Sequence, residues 1–492
     1  MRFFGYVLCG VLAFASMPLR ADIVFYRIPK LSPPMVVMLQ GRAKVLPGGT
    51  VSFRHPTFRD AKLIFALENV DIRTTLGPQE LFRRKLQKAS NAKSAAQVMD
   101  VALWALQHGL LEQYYEAVAK AIELDPQNAL AQRVLALRKR IDQPVQITAE
   151  HKAYMRKIVP VSGMRFETSE HFLLMCDTPI KPGPHHKLAR HEERLQLLEQ
   201  VYRCFLYRFV PYGAPAHIPA APLMVVLFND EADFREYSNS LSTELASAAG
   251  FWDSKSNVSF FYDHGTTAEY KELRNFSAGL QRQKERYIRD RANYAKGEVA
   301  KFVRMANTLA LLVEIAQENS DIEVVSHEVT HQMAGNTGLL PRNVRIPTWV
   351  HEGLATYFEA PKDATWSGIG AVNKTRLRWY RGLADDRVHS NIDFIVGDKI
   401  FDLAATGGAT LHAYGQAWGL THFLMNRHFD QLMQFYRRLG EMPSDFMLTP
   451  RVLNRLFSEV FGDDRSALDF QWRSYMRSLK TDVEKYLEEA GI

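Results

Sequence analysis

Two short stretches about twenty residues apart constrain this chain more than anything else in its length: His327-Glu-Val-Thr-His331 and Trp349-Val-His-Glu352-Gly-Leu-Ala355. In an α-helix, side chains four apart lie on one face, so His327 and His331 can grip a single ion together. Glu328 stands about 100° round the same helix, where it can reach a water on that ion without becoming a ligand. This is the geometry of a metal-hydrolase helix with the glutamate as general base. In a chain with 16 histidines the five-residue motif can also arise by chance, so its flanks matter. Ser320-Asp-Ile-Glu323 fits a capping box at a helix start, and Gly335-Asn336 supplies a stop. Val325, Val329 and Met333 form an apolar ridge roughly opposite the histidines. The pattern predicts a helix with one face in a core and the other on a cleft.

The third ligand decides the class of site. Ala334 and Thr337 stand where a pattern with a third histidine after the motif needs Gly and His. Glu352 is the better candidate, on a second helix opened by Pro347 at a first-turn position. Two nitrogens and one carboxylate leave one coordination position open, as a catalytic zinc requires. His351 is a rival ligand, but it points about 100° away from Glu352 on the same helix.

The fuller string comprises His327-Glu-Val-Thr-His-Gln332, Asn336-Thr-Gly-Leu339, Pro347-x-Trp349 and Glu352-Gly-Leu-Ala-Thr-Tyr-Phe-Glu359. It resembles the gluzincin, or thermolysin-like, zinc metallopeptidases. More narrowly, it is similar to a bacterial family of uncharacterised exported proteins with a peptidase-MA-like domain. The likeness runs from about Phe166 to residue 480 and includes Ala249-Gly-Phe-Trp-Asp253 and Tyr414-Gly-Gln-Ala-Trp418. It implies Zn2+ held by His327, His331 and Glu352, with Glu328 as catalytic base. It also implies an edge strand beside the metal helix that pairs with extended substrate. One departure is Thr356, where many gluzincins carry an acidic residue that orients a ligand histidine; Glu359, two turns after Glu352, could substitute.

The expected chemistry follows. Zinc lowers the pKa of its water from about 15.7 to about 7, and Glu328 takes the proton and returns it to the leaving amine. Tyr414 is the first choice for steadying the oxyanion, with His412 and His422 behind it. Competing readings are a non-catalytic exported scaffold that retains a zinc-binding fold, and hydrolysis of a non-peptide bond by the same ligands.

Composition sets outer bounds. A chain of 492 residues, 47% of them apolar, has room for two to four domains with folded cores. Met1-Arg2 followed by an apolar run to about Leu19 predicts a signal peptide over residues 1–21, with small-residue cleavage sites after Ala15 or Ala21. An uncleaved anchor is the lesser alternative, since the run is short for a span. Leu8 before Cys9 argues against a lipoprotein site. The mature chain is expected to be exported, periplasmic or secreted, with no membrane span. Cys176 and Cys204 are too few for a disulfide scaffold, and a bridge and two separate thiols both stay open. A net charge of +7 permits attraction to acidic surfaces but gives no sign of nucleic-acid binding.

The expected fold is α+β: a zincin-like metallopeptidase domain over 160–482, with a mixed-sheet upper lobe and a helical lower lobe. Before it come a small β-rich module over 22–78 and a helical, partly tetratricopeptide-like segment over 79–142. The module rests on Met35–Leu39, Thr50–Phe53 and Leu63–Leu67. In the helical segment Gly109, Ala121 and Asp125-Pro126 are spaced like half a repeat, although Tyr114 fills a position that wants a small residue. One unit cannot make a solenoid, so an ordinary helical hairpin and a surface for a protein partner both stay open. Residues 143–163 read as a linker, and Phe166–Met175 as a strand. Leu188–Phe209 is a helix, Pro222–Phe228 a strand, and Phe251–Tyr262 a hairpin turning at Asp253–Asn257, first an ordinary internal hairpin and second the candidate substrate edge. Residues 267–305 are charged and helical; mixed signs favour a solvated arm or a helix flanking the cleft over contact with membranes or nucleic acid. Leu377–Leu383, Ala413–Arg427, Phe429–Arg438 and Leu468–Leu487 complete the helices.

Overall fold

The computed structural model describes residues 20–28, 36–58, 62–290 and 297–490. Apart from Arg20 and Ala21, the expected leader lies outside the described residues. The architecture is α+β, with two five-stranded sheets and a majority of helices. Among the described residues no helix is long and apolar enough to cross a membrane.

The first sheet is antiparallel throughout. Its strands are β1 (Arg20–Arg27), β2 (Val36–Leu46), β3 (Thr50–Arg54), β4 (Lys62–Ala66) and β5 (Val70–Leu76), in the order β4-β3-β2-β1-β5. β1 begins at Arg20, inside the stretch read as leader; cleavage after Ala21 leaves its partners from Asp22 onward in place. One face of the sheet buries Val24, Leu39, Val51, Phe53 and Phe65 against Leu311 and Ile315 of a later helix. The chain's last helix, Asp482–Ala490, stacks Tyr486 on Phe25 at 3.8 Å.

Four helices follow, Pro78–Asn91, Ala95–Gln107, Leu111–Leu124 and Ala129–Ile141. The middle two form the helical hairpin expected around Gly109, whose φ of +68° needs glycine to make the turn. Tyr114, the misfit for a repeat, is fully buried against Tyr207 of the helix Arg190–Phe209. The inner face of the hairpin is thus spent on the rest of the chain. The stretch read as a linker holds a further helix, Ala149–Ile158, started by a capping box between Thr148 and His151. Proline-flanked and polar, it gave no apolar period to announce it.

The second sheet carries the site. β6 (Arg165–Thr168), β7 (Phe172–Cys176), β8 (Leu223–Phe228), β9 (Phe251–Asp253) and β10 (Val258–Tyr262) lie in the order β6-β7-β8-β10-β9. The single strand expected over Phe166–Met175 is two, because the chain turns back at Ser169–His171 and pairs with itself. β7, β8 and β10 are parallel, and the outer strands β6 and β9 run antiparallel to them. The side chains alternate as the pleat demands. Phe172, Leu174 and Cys176 enter one core, and Leu173 and Met175 the other. Both faces are covered, which is why these strands read as unbroken apolar runs. Cys176 and Cys204 are separate, buried thiols.

Under this sheet runs one helix from Gly297 to Thr337. It continues straight through Ser320–Glu323, where the sequence pattern predicted a start. Asp321 does not cap; its carboxylate takes the Arg194 guanidinium at 2.8 Å and the His264 backbone N–H at 3.0 Å. The helix ends two residues beyond the expected stop, at Thr337, with Gly338 in the left-handed conformation at φ +75°. The next helix, Thr348–Phe358, has Pro347 as its cap, one position before the expected first turn. The Asp398 carboxylate accepts from the Thr348 and Trp349 N–H groups, an N-terminal cap supplied by a distant loop. Helices then dominate: Lys374–Leu383, Ile392–Val396, Lys399–Gly407, Thr410–Arg427, Phe429–Gly440, Pro450–Phe461 and Arg465–Ser478. The helix expected over Leu468–Leu487 is broken at Leu479–Thr481, beyond which the final helix turns back to the first sheet.

Candidate metal centre

The helix Gly297–Thr337 is held in register by its own polar face. Gln332, fully buried, donates its amide to the Met224 carbonyl of β8 at 3.0 Å and to the Asn257 carbonyl at 3.1 Å, and accepts from Ser259 of β10. One turn on, the Asn336 and Asn257 side-chain amides exchange two hydrogen bonds, of 2.7 and 2.8 Å. Asn257 sits in the left-handed region at φ +58°, which a tight turn demands and asparagine tolerates. On the opposite side Val325, Val329 and Met333 are buried in the core, as the ridge predicted. Sheet and core together clamp the helix, so the histidine face cannot roll.

The helix Thr348–Phe358 approaches that face closely. At Gly353 an added Cβ would lie 2.1 Å from the Thr421 Oγ1 and 2.9 Å from the Ala417 carbonyl of the helix Thr410–Arg427. The glycine after Glu352 therefore sets the depth at which Glu352 is presented. Trp349 fixes the other end of the helix, fully buried and donating its indole N–H to the Val396 carbonyl at 3.2 Å.

These supports bring His327, His331 and Glu352 together, with one ligand atom from each within 4.8 Å of the others. The two Nε2 atoms are 3.1 Å apart; His327 Nε2 lies 3.1 Å from one Glu352 oxygen, and His331 Nε2 lies 3.7 Å from the other. Metal–nitrogen bonds of about 2.0–2.1 Å in a tetrahedron put donor atoms roughly 3.3 Å apart, so the spacing fits one small cation. His351 stays outside the group, its ring 5.7 Å from that of His331. Burial, and then the neighbouring His331, push His351 down to about 4.

Behind the ligands stands an ordered set of partners. Glu359, fully buried, contacts His327 Nδ1 at 2.8 Å. A proton held on Nδ1 by that carboxylate leaves Nε2 with its lone pair toward the centre. Glu359 itself accepts from Asn373 at 3.0 Å and from the Arg376 guanidinium, which also lies 3.5 Å from Glu323. Thr356 takes no part: its hydroxyl donates to the Glu352 and Gly353 carbonyls of its own helix. The orienting role falls to Glu359, as the sequence allowed. Asn373 and Arg376 carried no signal there, because their value lies in a fold that brings a third helix against Glu359.

The electrostatics divide the carboxylates. Burial opposes ionisation of Glu352, but His331 and His327 overcome it and hold the group well below the usual carboxylate range. Burial likewise opposes ionisation of Glu359, and Arg376 and His327 overcome it. Burial raises Glu328, against the pull of both histidines. Burial, and then Glu359, bring Glu323 up to about 7. Tyr414 faces the same space, its ring 6.3 Å from that of His327 and beneath the Arg376 guanidinium at 5.1 Å. Burial, then Glu352 and Glu328, keep its hydroxyl protonated. His412 is bound to the Trp379 carbonyl at 3.0 Å, and His422 to the Gly370 carbonyl at 3.0 Å and the Tyr475 hydroxyl at 2.7 Å. Both are packing residues.

Among the described residues two other groups of carboxylates with a histidine occur, Glu170–His171–Glu199 and His186–Glu193–Glu318. Their carboxylates are already matched: Glu170 by Arg203, Glu199 by His171, and Glu318 by Arg190 and Arg194.

A sequence family described as a protein of unknown function (DUF1570) matches residues 321–444, the stretch that holds all three candidate ligands, Glu328 and Glu359. No curated protein matches the chain. No solved structure matches it either.

Proposed function

We propose that the protein is an exported zinc metallopeptidase of the gluzincin type, with His327, His331 and Glu352 as ligands and Glu328 as general base. The observation that carries this reading is the convergence of two imidazole Nε2 atoms and one ionised carboxylate at the spacing of a tetrahedral edge, with Glu328 beside them. The donor set suits zinc, which takes nitrogen and oxygen ligands and in catalytic sites keeps a position open. A mixed sheet with an antiparallel edge strand above a ligand-bearing helix, and helices below, supports a zincin-like arrangement of 160–482.

Zinc, when bound, supplies Lewis acidity that makes a water nucleophilic near neutral pH. The chain's own residues do the rest. Glu328 removes the proton from that water at its carboxylate and returns it to the leaving nitrogen. The Tyr414 hydroxyl, held protonated, donates to the oxygen that gains charge. Glu359 keeps His327 in one tautomer and orientation. The free edge of β9 offers backbone groups to an extended peptide, which favours a peptide substrate over other hydrolysable bonds.

The scaffold alternative leaves Glu328 without a task, since the fold does not need a half-buried carboxylate there. The test is metal content and hydrolysis of a general protein substrate by the purified chain, beside Glu328→Gln. One zinc per chain in both proteins, with turnover falling about 10²–10⁴-fold in the variant, is the expected result. Undiminished hydrolysis by Glu328→Gln overturns the assignment of the base; a metal-free chain overturns the centre.

A further inference from the structure

The face that carries the histidines does not end with them. Gly335 follows His331 by four residues and extends the line of His327 and His331 along the helix, about 6 Å further on. A cavity of about 450 Å³ opens there, lined by Gly335, Asn336, Gly338, His217, Arg342 and Asn343 among others. Its floor exists because residue 335 has no side chain: a Cβ would lie 2.5 Å from the Trp252 ring and 2.9 Å from the Arg342 stem. Trp252 belongs to β9, the edge strand of the second sheet. The cavity thus lies along the histidine face of the helix, with an edge-strand ring packed against the glycine beneath it.

Its chemistry is one-sided. No carboxylate lines it. Arg342 commits one donor, to the Ser254 carbonyl at 3.2 Å, and has four left. Among the described residues the His217 ring and the Asn343 side chain have no hydrogen-bond partner, whereas the Asn336 amide is spent on Asn257 and Gln332. An exposed guanidinium fork with donors to spare, beside uncommitted neutral donors, suits a carboxylate. An extended peptide advances about 3.3 Å per residue, so a side chain one or two positions from the bond over the metal centre spans the distance.

We propose that this cavity is a specificity subsite that selects peptides with a carboxylate within two residues of the scissile bond, with Arg342 as the selecting residue. The proposal rests on the metallopeptidase reading for its register, but the recognition of a carboxylate can be tested apart from cleavage. Fluorescent peptide sets, matched except for Glu or Gln at one scanned position, are bound to the full chain carrying Glu328→Gln. A third set places a free C-terminal carboxylate at that position. At one register the Glu peptides should bind at least tenfold more tightly than the Gln peptides. A still larger gain for the third set would assign the site to chain ends. Arg342→Gln should bring the Glu/Gln ratio below two, and Asn343→Asp, which adds a carboxylate to the cavity, should invert it. Arg345→Gln, on the same loop but outside the lining, should leave the ratio as it was. Equal binding of Glu and Gln peptides at every register, or a ratio that survives Arg342→Gln, overturns the subsite. If the native chain cuts none of the peptides while the binding ratio holds, the metallopeptidase reading falls and the carboxylate site stands.

Discussion

The middle and the C-terminal part of the helix Gly297–Thr337 treat buried charge in opposite ways. Toward its middle, Glu318 and Asp321 meet Arg194 at 2.7 and 2.8 Å, with Arg190 and His264 completing the set. Every carboxylate there has its cation built into the chain. Two turns later, Glu328 and Glu352 face two histidines, and the nearest guanidinium, Arg376, is spent on Glu359 and Glu323. The first cluster is closed and holds helices together. In the second, the two imidazoles alone hold Glu352 ionised, at a donor spacing that fits a divalent ion. Buried carboxylates are tolerated only when matched, and the proposed zinc would take over that match.

The largest expected effect breaks the closed end. Arg194→Met strands Glu318 and Asp321 in the interior and should cost about 3–5 kcal/mol in urea unfolding, with zinc content per folded chain unchanged. Equal stability of variant and parent would mean that the cluster is not a strut. The open end should respond to metal instead. Zinc at about a hundred times its Kd stabilises the folded chain by about 2.7 kcal/mol, and chelator should remove that increment. Arg194→Met should respond to chelator by the same amount, and a chelator-blind melting curve would argue against a bound ion.

Smaller still is the loss of an orienting partner. Glu359→Gln keeps the shape but weakens the hold on His327, and should lower zinc affinity about 10–100-fold. A competition titration against a metal indicator reads this directly; no change would demote Glu359 to packing. The smallest effect concerns pH. Hydrogen bonds to Glu193 and Glu314, outweighing burial, raise His186 to about 9. Its contribution to stability is therefore present in full below the unfolded value of about 6.5, and is lost as pH rises through about 9. His186→Asn should flatten the decline in stability between pH 7 and 9, which denaturation at several pH values would reveal.

The contrast also explains what could be read in advance. The candidate ligands could be picked out because metal ligation needs particular residue types, and the structure brings together His327 and His331 from one helix and Glu352 from the next. The hairpin at Phe251–Tyr262 was legible from alternation and turn residues, and the structure places its first strand at the sheet edge. The start of the histidine helix was not. Ser320–Glu323 has the letters of a cap, yet Arg194 and His264, more than fifty residues away, claim Asp321 and let the helix continue. The cap that Asp398 supplies was hidden for the same reason: it depends on a partner that no local window contains. The turn between β6 and β7 and the helix at Ala149–Ile158 are local, but no apolar period marks them.

The sequence alone determined which atoms could bind a metal and act as a base, since those capacities belong to residue type and to spacing within one helix. Only the tertiary structure decided how deep Glu352 sits, through the close crossing at Gly353. It also decided which carboxylate orients His327, and that Gly335, with Trp252 packed on it, and Arg342 meet at a cavity in line with the histidines. The physical reason is range. A helix repeats its geometry every few residues, whereas charge matching and close packing are settled between segments that meet only once the chain has folded.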